Sequence, residues 1–127
     1  MKQATLKPIL DAITETNTPI AIDVKYAKKV TLFYTEAGTV NNRSGALAFT
    51  GSIDGTTFVT IYPIDNVAND NSQVLTRVAS KTRAAAGTDI LFLDLKHFGL
   101  TQIKATCTIT DGAAPTGNFT LKALIEY

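Results

Sequence analysis

The chain has 127 residues, 45% apolar and 18% charged, enough for one domain with its own core and far from the composition of a disordered segment. Twelve Lys and Arg against eleven Asp and Glu give a net charge of +1, which argues against nucleic acid as the main partner because phosphate binding needs concentrated cations. No apolar run approaches the roughly 18 residues of a membrane span, and the single Cys107 excludes an internal disulfide and points to folding in a reducing compartment.

The opening "MKQATLKPILDAITETN" does not read as a signal peptide, since its apolar stretch is short and broken by Asp11. Leu6, Ile9, Leu10 and Ile13 sit at helical spacing, although Pro8 interrupts them and polar residues follow. Beyond this segment, Thr, Ile, Val and aromatics dominate and turn residues recur at short intervals, the all-β pattern. "IAIDV" (20–24), "KVTLFYT" (29–35), "GALAFTG" (45–51), "FVTIY" (58–62), "QVLTRVA" (73–79) and "DILFLDL" (89–95) read as strands. "QIKATCTIT" (102–110) puts Ile103, Ala105, Cys107 and Ile109 on one face, and "NFTLKALIEY" (118–127) does the same with Phe119, Leu121, Ala123 and Ile125. About eight strands with such turns predict an all-β, antiparallel two-sheet sandwich of jelly-roll type, as one domain over residues 1–127. The polar connections are 36–44, 63–72, 80–88 and 111–117.

Candidate sites are sparse. "GSIDGT" (51–56) has an Asp-Gly between apolar runs, a hairpin signal. A calcium loop needs several carboxylates, and only Asp54 is present. In "DNVANDN" (65–71), Asp65, Asn69, Asp70 and Asn71 offer oxygen ligands, but without EF-hand spacing they read as turns. His97 is the only histidine and has no visible partner set for zinc or for catalysis. Cys107 reads as a buried small hydrophobe, and Arg77, Lys81 and Arg83 as a solvated basic cluster able to meet an acidic neighbour. No base–nucleophile pair is visible, so an enzyme is not expected, nor a cofactor or a resident metal.

The stretches "ILDAITETNTPIAIDVKYAKKVTLFY", "GALAFTGSIDGTTFVTI" and "IKATCTITDGAAPTGNFTLKALIEY" together resemble small virion proteins of tailed bacteriophages, of the capsid decoration or head-associated type. The resemblance covers the chain from about Leu6 onward and departs at Phe58, where Trp is common. It implies a jelly-roll-like fold, with residues 1–17 as an extended arm or edge strand rather than a helix. It also implies a non-enzymatic structural protein, made in the host bacterial cytoplasm and placed on the capsid surface of the virion. There it would bridge subunits of the major capsid protein, as a homo-oligomer with a trimer expected first. The contact residues expected on this reading are Lys7, Pro8, Ile9 and Leu10, with Lys81 and Arg83 of the basic loop. The alternatives are another tail or head-completion structural protein, or a tail- or fibre-associated carbohydrate-binding sandwich with Tyr62, Asp65 and Asn66 as its glycan site.

Overall fold

Two strands of unusual length organise the chain. The computed structural model describes residues 3–65, 76–95 and 99–127. In chain order the strands are β1 (Ala4–Ile13), β2 (Ile20–Asp23), β3 (Lys29–Ser52), β4 (Val59–Ile61), β5 (Ile64–Asp65), β6 (Thr76–Arg77), β7 (Lys81–Arg83), β8 (Gly87–Asp94) and β9 (Gln102–Glu126). β3 has 24 residues and β9 has 25, against about 5–6 for an ordinary strand. They pair antiparallel along their whole length, from Lys29 opposite Glu126 to Ser52 opposite Gln102.

The nine described strands form one antiparallel sheet, in the order β1-β9-β3-β8-β5-β6, with β2 also paired to β9 and β4 and β7 also paired to β3. The described residues contain no helix, so the all-β, antiparallel expectation holds. The two separate sheets of about eight strands do not: the hydrogen-bonded ladder is continuous. The reason lies in two segments read as loops. Residues 36–44 stay within β3, and 111–117 stay within β9. Pairing slips between Ala37 and Asn41 and again between Asn41 and Arg43. Gly38, Asn42, Ala114 and Gly117 take φ of 83°, 50°, 48° and 113° there. These are bulge conformations, which bend a strand without ending it. Arg43 clamps the bend: Nε donates to Asp111 Oδ1 at 2.7 Å and NH1 to the Gly117 carbonyl at 2.7 Å.

Bending brings the inward faces of the ribbon together. Val30, Leu32, Tyr34, Phe119, Leu121 and Leu91 come from one part, and Leu47, Phe49, Ile103, Ala105 and Cys107 from the other; all are buried. Tyr34 joins the two parts directly. Its hydroxyl donates to the Gly45 carbonyl at 2.6 Å and lies 3.4 Å from Cys107 Sγ, and its ring stacks on Phe119 at 5.9 Å. Burial raises the pKa of both the Tyr34 phenol and the Cys107 thiol. Cys107 is thus an inert core thiol.

The N-terminal segment is extended over Ala4–Ile13 and pairs with β9 as the outermost strand of its side. The polar residues after it continue the ladder with side chains. Asn17 Oδ1 accepts the Cys107 N–H at 2.7 Å, its Nδ2 donates to the Ala105 carbonyl at 3.2 Å, and Thr16 Oγ1 accepts the Ile109 N–H at 2.9 Å. Backbone groups of β9 that would otherwise stand open between β1 and β2 are satisfied in this way.

Candidate functional site

The "GSIDGT" knot closes on itself. Six residues, 53–58, separate β3 from β4, so this is a longer loop than the two-residue hairpin that Asp-Gly suggests. Asp54 Oδ1 accepts the N–H groups of Thr56 and Thr57 at 2.8 Å each and the Ser52 hydroxyl at 2.9 Å. Ser52 Oγ in turn accepts the Gly55 N–H at 2.9 Å, and Gly55 supplies the required φ of 78°. The Thr57 and Thr56 amides, then the Ser52 hydroxyl, lower the Asp54 pKa to about 2. A metal at Oδ1 would have to displace those bonds. The lowered pKa also fixes a sign: the carboxylate's stabilisation is complete above its ordinary value of 3.8 and is lost as pH falls through about 2. Asp54→Ala is therefore expected to lower the melting temperature at pH 7, with the difference from the wild type shrinking toward pH 2 in paired thermal melts.

The basic residues are engaged within the chain. Lys81 Nζ lies 2.6 Å from Asp65 Oδ2, and Asp65 is only 5% exposed. That pair ties β7, beside the later part of β3, to β5, beside β8. Arg83 NH1 binds Asp89 Oδ2 at 2.7 Å, and Arg77 NH1 donates to the Tyr62 carbonyl at 3.2 Å. Of the proposed glycan set, Asp65 is engaged by Lys81, Tyr62 is exposed, and Asn66 lies outside the described residues. Asn69, Asp70, Asn71 and His97 lie outside them too. Among the described residues no three His, Cys, Asp or Glu side chains cluster.

On β1, Lys7 and Pro8 are exposed and Ile9 is half-buried. Leu10 is 2% exposed and part of the core, because the register shift between Pro8 and Leu10 turns it inward; it is not a surface contact. Leu6 is 61% exposed.

Two further features are the cleft beside Tyr62 and the burial of Glu36, of which the sequence singles out only Tyr62. Tyr62, 50% exposed, borders a cleft of about 460 Å³ whose walls include Val59, Ile61, Leu93, Leu95 and Leu100, with Arg77 also lining it. Glu36 is 1% exposed, and among the described residues neither carboxylate oxygen has a hydrogen-bond partner. It lies beneath the bend, where a Cβ added to Gly117 would sit 3.4 Å from its Oε2. Burial pushes the Glu36 pKa up, against the pull of the Arg83 and Arg43 charges. The sequence signal for this residue was present: Val30, Leu32 and Tyr34 alternate inward, and Glu36 is the next position in that series.

No family model matches the chain, and no curated protein matches it. Two solved structures are similar in fold. The SPBc2 prophage-derived protein YomS superposes with a TM-score of 0.72 at 12% identity, over 100% of this chain and 96% of that one. The PBSX exported protein XepA gives 0.68 at 14% identity over 99% of this chain. This chain spans only 38% of XepA. At these identities what is shared is the fold.

Proposed function

We propose that this protein is a non-enzymatic structural component of a bacteriophage particle, which decorates the capsid and stabilises it by bridging neighbouring capsid subunits as a homo-oligomer. The observation that carries the reading is the likeness to YomS, a prophage-derived protein, along nearly the whole of both chains. The self-contained loops add support: the knot bonds within itself, Arg43 at the bend pairs with Asp111, and Lys81 and Arg83 pair with Asp65 and Asp89. What they leave for a partner is strand surface, and Lys7 and Pro8 on the outermost β1 are the shell contacts we assign. Each bridge buries area that must be re-exposed before the shell opens, which stabilises the closed shell by linkage.

Co-sedimentation with capsids lacking the protein tests this. Saturable binding at a fixed ratio per capsomer, with delayed thermal opening of the shell, is expected; Lys7→Glu is expected to weaken binding severalfold without altering the fold. Absence of binding would remove the decoration role. The second reading, a tail- or fibre-side carbohydrate module, is favoured by the cleft beside Tyr62 and weakened by the engagement of Asp65. A host glycan screen with Tyr62→Ala decides it.

A further inference from the structure

The tip of the bent ribbon covers Glu36 but is itself weakly anchored. No residue of 37–44 or 111–118 is buried. Between Ala37 and Arg43 the two strands share one register pair, Asn41 with Thr116, and the pairing slips on both sides of it. Side chains tie the tip together: Arg43 bonds to Asp111 and to the Gly117 carbonyl, and Asn42 Nδ2 donates to the Ala113 carbonyl at 2.6 Å. A segment with few buried contacts opens at low cost.

Glu36 is the last inward residue of β3 before the tip, and Gly117 of the tip packs against it. A Cβ on Gly117 would lie 3.4 Å from Glu36 Oε2 and 3.3 Å from Val40 Cγ2. The two cations that act on Glu36, Arg83 of β7 and Arg43 of β3, are engaged elsewhere. Arg83 bonds to Asp89 of β8 at 2.7 Å and to the Ala85 carbonyl at 3.1 Å; Arg43 bonds to Asp111 of β9 and the Gly117 carbonyl. The register partners of Glu36, Gly87 on β8 and Phe119 on β9, carry no charge. Tyr34 on its own strand and Cys107 on β9 also feel its field, and Glu15 acts on Arg43.

From this arrangement we infer that the tip is a proton-controlled flap: with Glu36 protonated it closes over the neutral carboxyl, and on ionisation of Glu36 it lifts and lets water reach the carboxylate, while the rest of the β3–β9 ladder stays paired. A buried carboxylate without hydrogen bonds is costly. Neither arginine can turn to it without releasing the partner it holds. Lifting a tip that buries no side chain of its own is the least disruptive way to hydrate the charge. The closed flap holds the proton more tightly than the open one, because burial raises the Glu36 pKa. Opening is therefore suppressed in acid and grows as pH rises through the raised value. The flap is a property of the single chain and does not depend on the decoration reading.

Hydrogen–deuterium exchange of the full chain, read by peptide mass and corrected for intrinsic exchange, tests this from mildly acid to mildly alkaline solution. The ratio of wild-type to Glu36→Gln exchange in peptides covering 37–44 and 111–118 is expected to be near one in acid. It then rises with pH by up to about tenfold per unit, the limit for one proton. Peptides covering 30–34 and 121–125 are expected to stay protected in both proteins. Asn42→Ala, which removes the bond to the Ala113 carbonyl, is expected to raise exchange of the tip severalfold without changing its pH slope. Circular dichroism identical to the wild type confirms that each variant is folded. A ratio that stays at one or falls as pH rises, an equal rise in 30–34 and 121–125, or a tip indifferent to Asn42→Ala would overturn the inference.

Discussion

Gly45→Val is expected to abolish cooperative folding or to leave a chain that unfolds at very low urea. A Cβ at Gly45 would lie 2.6 Å from Phe119 Cε1, 2.7 Å from its Cζ and 2.6 Å from the Tyr34 hydroxyl oxygen. Those rings stack on each other at 5.9 Å where the two parts of the folded ribbon meet, so neither can retreat without moving the other. Overpacking a close-packed core costs about 1–3 kcal/mol. Displacing Tyr34 also leaves the buried Gly45 carbonyl without its donor, which adds about 1–3 kcal/mol. Against a total stability of about 5–15 kcal/mol the sum is large. Gly99→Ala is the control: its φ of 58° makes Ala strained, but nothing among the described residues lies within 4 Å, and a loss of only about 1 kcal/mol is expected. Urea titration followed by tyrosine fluorescence and far-ultraviolet dichroism reads both. A Gly45→Val protein with the wild-type midpoint would mean that the two inward faces do not meet at this glycine.

Glu36→Gln is expected to stabilise the protein at neutral pH. The carboxylate is buried and neither oxygen is hydrogen-bonded among the described residues; a buried charge without hydrogen bonds is costly, and here burial outweighs the pull of the Arg83 and Arg43 charges. Gln keeps the shape and removes the charge, and a gain of about 1–3 kcal/mol follows from the desolvation of an unmatched polar group, or several degrees in melting temperature. The pH dependence distinguishes this from a packing effect. The folded-state pKa of Glu36 is raised above its ordinary 4.5, so the folded protein binds the proton more tightly than the unfolded chain. Stability from this group is highest below pH 4.5 and falls as pH rises through the raised value. Asp54 and Asp111 have lowered pKa values, Asp111 chiefly through its hydrogen bond from Arg43, and act in the opposite direction at more acid pH. Wild-type stability is therefore expected to peak in mildly acid solution. Glu36→Gln should flatten the fall from that peak toward pH 7 and leave the acid limb unchanged. A variant less stable than the wild type at pH 7, with the same pH profile, would show that the carboxylate is matched by a partner.

The bent ribbon explains why some features could be read from the chain and others not. β9 alternates so regularly that its inward residues, Ile103, Ala105, Cys107, Phe119, Leu121, Ala123 and Ile125, follow from period two alone, and all are buried. Strand character, polarity of faces and the absence of a visible catalytic set are properties of residue type and spacing, and these need no long-range information. The bend was misread because Gly, Asn and Pro serve turns and bulges equally. Whether "TVNNRS" ends a strand or kinks it depends on whether a partner strand runs alongside, and that partner is some 70 residues away, as in the Arg43–Asp111 pair. Short β7 went unseen for a similar reason: three residues, Lys81–Arg83, become a strand only because Gly45–Leu47 lies beside them.

Side-chain fates divided along the same line. The sequence by itself determined that the chain is β throughout, which residues of its long strands turn inward, and that Asp54 and its neighbours make a turn. Only the tertiary structure decided that Leu10 is core while Leu6 is surface, that Lys81 and Asp65 neutralise each other, and that Glu36 is buried with no hydrogen-bond partner among the described residues. The physical reason is range. Alternation and turn chemistry act over a few residues and are written locally, whereas register, bulges and ion pairs join segments distant in the chain, and their outcome is set by what each residue meets when the ribbon folds over.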